Sequence, residues 1–150
     1  MNVAKTFAVG MVALVMSATA WAAKKEPVMK VYDWQITRVV DGDTVEFAAP
    51  WLPDPLKKKL SIRIYGVDTP EKGHRAKCES EAKRGAQATE FTKKVITESK
   101  VAQVGIISWD KFGGRVLGDI IVDGKSLRSL LIQNGLAREY YGEAKQSWCN

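Results

Sequence analysis

Apolar and polar residues alternate in short runs through the first half of the chain and then change to a three-and-four spacing, so strands are expected first and a long helix after them. Val31 to Val40 mixes β-branched and aromatic residues with polar ones. Asp41–Gly42 is a strong hairpin signal, and a second strand is expected from Asp43 to Phe47. Pro50 to Lys59 carries three prolines and three lysines and reads as a loop. Leu60, Ile62 and Ile64 alternate with Ser61, Arg63 and Tyr65, which predicts a third strand with Arg63 on the face opposite the isoleucines.

After a turn at Thr69–Pro70, a basic loop with Lys72, His74, Arg75 and Lys77 leads to a helix expected over 79–98. Ala88, Phe91 and Val95 form its apolar stripe, and Gly85 weakens its first turns. Two further strands, 101–108 and 115–122, are joined by DKFGG. Asp123–Gly124 then turns the chain into a short helix, 127–134, with Ser126 as N-cap and Gly135 just past its end. Five short strands with an inserted helix point to an α+β fold, a five-stranded Greek-key OB-fold barrel with two to three helices. A parallel α/β sheet fits less well, because it requires a crossover helix between strands.

The chain has 150 residues, of which 45% are hydrophobic and 27% charged, which fits one globular domain and excludes a disordered or collagen-like chain. One histidine and two cysteines exclude a multi-His or Cys-rich centre, so any metal must be a hard cation held by oxygen. Phe7 to Ala20, about 14 apolar and small residues, precedes Ala20-Trp21-Ala22, the pattern of a signal peptide over residues 1–22. A bilayer span needs roughly 20 apolar residues. The expectation is therefore a soluble chain of residues 23–150, exported to the periplasm or secreted, with no membrane anchor after cleavage. Without the leader, 22 basic side chains face 17 acidic ones, a balance that favours polyanionic partners. An oxidising compartment allows Cys78 and Cys149 to pair, which would stabilise the fold by roughly 4 kcal/mol; two buried free thiols are the alternative.

Asp43, Asp68 and Glu71 lie at or beside turns, where carboxylates and backbone carbonyls together suit calcium. DGDT is not an EF-hand loop, since the twelfth position from Asp41 is Leu52. On structural grounds alone, Asp41 and Asp43 need only serve the hairpin. Arg63 lies within a strand and Arg115 opens one directly after two glycines. Such arginines are usually solvated or paired with a carboxylate, but a guanidinium fork also donates two hydrogen bonds to a phosphate.

The stretches VVDGDTVEF (39–47), IRIYGVDTPE (62–71), ATEFTKKVI (88–96), DKFGGRVLGDIIVDGK (110–125) and LIQNGLAREYY (131–141), in this order, resemble the staphylococcal nuclease family. The resemblance runs from about Val31 to Tyr141. It implies a calcium-dependent, sugar-nonspecific nuclease acting on DNA and RNA and leaving 3′-phosphates, expected to work as a monomer. Asp43 and Asp68 match the family's calcium-binding aspartates, and Thr69 matches the residue that lends a backbone carbonyl. Glu71 matches the glutamate assigned as general base, and Arg63 and Arg115 match the two catalytic arginines.

The likeness has gaps. Two glycines separate Phe112 from Arg115 where the family pattern has one, and Phe112 stands in place of a phosphate-contacting tyrosine. Lys111 keeps a charge nearby as a substrate-binding candidate. Tyr140 and Tyr141 either stack on a nucleotide or close the core. Trp148 reads as an anchor for the tail, and His74 as a solvated loop residue. A noncatalytic OB-fold module that binds nucleic acid is the alternative to an enzyme; it would have no use for Arg63, Glu71 and Arg115 together with Asp43 and Asp68.

Overall fold

The computed structural model describes residues 26–149, so the expected leader over residues 1–22 lies outside the described part. Nine strands and two helices follow in the order β1 (Lys30–Tyr32), β2 (Ile36–Asp41), β3 (Thr44–Ala48), β4 (Lys59–Ile64), β5 (Val67–Asp68), α1 (Glu79–Glu98), β6 (Ala102–Trp109), β7 (Arg115–Val122), β8 (Lys125–Ser126), α2 (Leu127–Gln133) and β9 (Arg138–Glu139). A single 3-10 turn, Gly73–Arg75, precedes α1. No described helix is long and apolar enough to cross a membrane.

The strand order β1-β6-β7-β4-β3-β2, with β8 against β7, makes a mixed sheet that is not closed; β5 and β9 form a separate pair. The architecture is thus α+β with two helices, and it departs from the sequence reading in three ways. The strands number nine among the described residues rather than five, because β5, β8 and β9 are two residues long and too short to show a period, and one expected strand is two. Moreover, β4 and β7 pair in parallel, with α1 and β6 lying between them along the chain. The expected strand over 31–40 is divided: β1 joins β6 while β2 joins β3. Trp34, in the gap, stacks on Tyr32 at 4.1 Å and on Phe47 at 5.3 Å.

Register across β3, β4 and β7 sorts the side chains. Glu46 pairs with Ser61 and Ser61 with Arg115, while Thr44 pairs with Arg63 and Arg63 with Leu117. Paired residues share a face, so Glu46, Ser61, Arg63 and Arg115 stand together on one side. Val45, Phe47, Ile62, Ile64 and Val116 stand on the other, in a core completed by Val104, Ile120, Leu127 and Leu131.

Helix α1 packs on the β2–β3 hairpin through Ala88 and Thr92, with Phe91 and Val95 partly buried against the core. The hairpin turn is Gly42–Asp43, one residue beyond the Asp-Gly pair, since Asp41 pairs with Thr44. Thr92 Oγ1 donates to the Gly42 carbonyl at 2.8 Å. Gly85, which weakens the helix in isolation, has a packing reason: a Cβ there would lie 2.7 Å from the Pro70 carbonyl oxygen and closer still to that of Glu71. Ser126 caps α2 by accepting from the Ser129 amide at 3.1 Å, as expected. Cys78, the residue before α1, is bonded to Cys149.

Gly85→Ala should destabilise the protein by roughly 1–3 kcal/mol through overpacking, although alanine raises intrinsic helix propensity by about 1 kcal/mol; a urea midpoint equal to or above wild type would refute this packing account. Glu46 bonds Arg38 at 3.0 Å and Lys59 at 2.9 Å, and these hydrogen bonds pull its carboxyl from 4.5 to about 2. A depressed folded-state value stabilises above the unfolded one and ceases to do so as pH falls through the folded one. The stability gap between wild type and Glu46→Gln should therefore be full above pH 4.5 and close toward pH 2, as measured by denaturant titration at a series of pH values.

Candidate active site

Asp43 ends the β2–β3 turn with its side chain turned inward, only 3% exposed. Its Oδ1 accepts from Arg63 at 2.6 Å and from the Thr44 hydroxyl at 3.1 Å, and its Oδ2 accepts from the Thr69 amide at 3.2 Å. Asp68, at the end of β5 and 6% exposed, lies 3.8 Å from the same Arg63 guanidinium. The sequence-nominated Asp43, Asp68, Thr69 and Arg63 thus form one cluster, drawn from a hairpin turn, a central strand and the end of β5. The Arg63–Thr44 pairing between β4 and β3 aims the guanidinium at the turn.

Burial pushes the Asp43 carboxyl up to about 6; the Arg63 charge opposes the rise, nearby Asp41 adds to it, and the Thr69 hydrogen bonds oppose it. Each acid of the group has a cationic neighbour, Arg63 at Asp43, Arg75 at Asp41 and Lys145 at Asp68, yet not every buried carboxylate oxygen is used. Oδ1 of Asp41 is buried without a hydrogen-bond partner, and Oδ1 of Asp68 accepts no well-directed hydrogen bond. An all-oxygen cluster of buried carboxylates with oxygens that accept no hydrogen bond fits a hard cation such as calcium. The disulfide sulfurs of Cys78 and Cys149 beside Glu81 do not, since bonded sulfurs offer no thiolate.

A cleft of about 580 Å³ opens beside this cluster and is lined by Arg63, Glu71, Arg115, Arg75, Tyr140 and Lys145 among others. The two arginines and the glutamate nominated from sequence therefore face one space. Glu71 is about one-third exposed, with Arg75 Nε 3.4 Å from its Oε2. Arg75 also donates to Asp41 at 2.9 Å. The Glu71 backbone is held by the α1 packing at Gly85 and by Glu81, a buried first-turn carboxylate that accepts from the amides of Glu71 at 3.4 Å and Lys77 at 2.7 Å. Arg115 Nε donates to Asp110. Burial works against the Asp110 charge, but the hydrogen bonds from Arg115 and the Phe112 amide and the charges of Arg115 and Arg63 hold its carboxyl below the usual range.

A second cleft of about 370 Å³ continues from Arg63 and Arg115 past Lys111, Phe112, Trp109, Tyr140 and Tyr141. Phe112 and Trp109 are 76% and 64% exposed at the end of the β6–β7 hairpin, and Lys111 Nζ sits 5.0 Å from the Phe112 ring centre. Tyr140 borders both clefts. Tyr141 also borders the second, with its ring edge-on to Tyr65 at 5.7 Å and its hydroxyl on Arg128. Asp41, Arg75, Asp110 and Lys145 escaped the sequence reading as site residues. Asp41 was legible as the partner of Asp43 in DGDT; the others come from loops whose course no periodicity predicts. His74 is exposed in the 3-10 turn, as expected.

The family model for staphylococcal nuclease homologues matches residues 61–148, a stretch that contains Arg63, Asp68, Glu71 and Arg115. Endonuclease YhcR of Bacillus subtilis is 32% identical over 116 residues, which is 73% of this chain and 9% of that protein. Staphylococcal-like nuclease CAN1 of Arabidopsis thaliana is 32% identical over 92 residues, 61% of this chain and 25% of its own length. Endonuclease YncB of Bacillus subtilis is 31% identical over 114 residues, 75% of this chain and 50% of that protein. The chain therefore spans half or less of the length of these relatives. With more than half of its residues matched by the family model, this chain is a member of the staphylococcal nuclease homologue family.

Proposed function

We propose that the protein is an exported, calcium-dependent nuclease that hydrolyses phosphodiester bonds in DNA and RNA, leaves 3′-phosphates, and acts as a monomer free of any membrane anchor. The observation that carries this reading is the shared cleft of Arg63, Glu71 and Arg115 against the buried Asp43–Asp68 pair. The endonuclease names of the YhcR and YncB relatives support the activity. Export of residues 23–150 draws support from the leader pattern and from the Cys78–Cys149 bond, which suits an oxidising compartment. The mixed sheet is read as the wall of an OB-type barrel.

In this reading Asp43, Asp68 and the Thr69 carbonyl hold calcium, with Asp41 beside them. Calcium bound there supplies Lewis-acid charge to a phosphoryl oxygen. Glu71 accepts the proton of the attacking water as the water oxygen bonds to phosphorus and the 5′ oxygen departs. Arg63 and Arg115 donate to the phosphoryl oxygens, where negative charge grows in the transition state, and favour departure of the 5′ oxygen. Arg63 is kept in place by Asp43, and Arg115 by Asp110, so neither guanidinium must be ordered at the moment of reaction. Lys111, Tyr140 and Tyr141 guide the neighbouring nucleotides along the second cleft, the tyrosines by stacking.

Arg63→Ala and Arg115→Ala should each lower kcat by about a hundredfold or more, and Glu71→Gln by a similar factor, with binding of an uncleaved oligonucleotide changed far less. Equal losses in turnover and binding would favour a noncatalytic nucleic-acid-binding module. The wild-type protein should cut single-stranded DNA with calcium, stop on addition of a chelator and resume when calcium is restored. Cleavage that continues through chelation would exclude the calcium mechanism.

A further inference from the structure

The chain beyond Tyr141 forms no helix or strand up to Cys149, yet Trp148 within it is only 7% exposed. An irregular segment keeps a buried aromatic only if other ties hold it. Four do so here. Cys149 is bonded to Cys78 at the start of α1, and Arg84 donates to the Trp148 carbonyl at 3.2 Å. The Arg138 guanidinium lies 3.7 Å from the Trp148 ring centre and donates to the Ser147 carbonyl at 2.9 Å. Arg138 in turn pairs with Asp68 between β9 and β5.

This tethered segment engages both oxygens of Asp68. The Trp148 indole N–H donates to Oδ2 at 3.1 Å, and Lys145 Nζ lies 2.6 Å from Oδ1. The two contacts differ in kind. A neutral donor fixed by packing orients a carboxylate without changing its charge, so it helps the same carboxylate to hold a cation through its other oxygen. An ammonium on that other oxygen occupies the position a cation needs and repels the cation's charge.

We propose that the disulfide-tethered segment 142–149 sets the cation affinity of Asp68. Trp148 is a positioning residue that orients the carboxylate, and Lys145 is a built-in cation that a divalent ion must displace. The inference rests on the reading of Asp43 and Asp68 as calcium ligands and adds residues outside the resemblance that suggested those ligands. It also gives the Cys78–Cys149 bond a role at the site, since the bond holds the residue next to Trp148.

Calcium titration by calorimetry, without nucleic acid, tests this on wild type, Trp148→Phe and Lys145→Met, with thermal unfolding to verify folding. Phenylalanine keeps a ring for Arg138 but loses the donor, so Kd should rise about tenfold. Methionine keeps the length of the lysine stem but loses the charge, so Kd should fall, by roughly fivefold for an ion pair with one partner partly exposed. Opposite signs distinguish this proposal from general damage to the tail, which would weaken binding in both variants. A wild-type Kd in folded Trp148→Phe, or an unchanged or weaker Kd in Lys145→Met, overturns it. If the Trp148 variant does not fold, the Lys145 result decides. Absence of calcium binding by wild type itself overturns the calcium reading beneath it, a failure separate from wild-type binding that the variants leave unmoved.

Discussion

Two carboxylates buried beside the hydrophobic core, Asp43 and Asp68, are the constraint on which the rest of the site depends. Acids removed from water require positive charge and hydrogen bonds close by. Arg63 supplies one guanidinium between them, Thr44 and Thr69 donate to Asp43, and Lys145 and the Trp148 indole meet Asp68. At Asp43 that supply does not offset burial, which lifts its carboxyl to about 6. The same deficit that costs stability makes the cluster receptive to a cation, so an unfavourable feature of the folded protein is the origin of its proposed chemistry.

Keeping that cluster intact takes elements from almost the whole described chain. The β2–β3 turn carries Asp43 and is bound to α1 through Thr92. The segment carrying Glu71 lies so close on α1 that only glycine fits at position 85. Asp68 is held on one side by β9 and on the other by the tail that Cys149 ties to Cys78. Helix α1 is thus the common support of the hairpin, the Glu71 segment and the tail. Arg115 has its own brace in Asp110, across the β6–β7 hairpin, so the second arginine is fixed by a separate local pair.

Much of this was legible in the residues, and the parts that were not share a cause. Helix α1, strand β7 and the Ser126 cap fall where periodicity and capping place them, because each leaves a pattern among neighbouring residues. The division of 30–41 into β1 and β2 escapes such reading, since it depends on which distant strand each half joins. The parallel β4–β7 pair escapes it too: the argument against a parallel sheet treated the whole sheet as one kind, whereas this one is mixed. Arg75 read as part of a basic loop, and only folding brings it between Asp41 and Glu71.

By itself the sequence determined which residue types were at hand: oxygen donors and no multi-histidine centre, two arginines in strands, a glutamate after a turn, and the face on which Arg63 stands opposite Ile62 and Ile64. Those follow from side-chain chemistry and from the two-residue period of a strand, which are local properties. Only the tertiary structure decided that Arg63 and Arg115 share a face and a cleft, that Asp41, Arg75 and Lys145 join them, and that Trp148 meets Asp68. Strand register and the path of an irregular tail are set by contacts between residues far apart along the chain, and no local pattern records them.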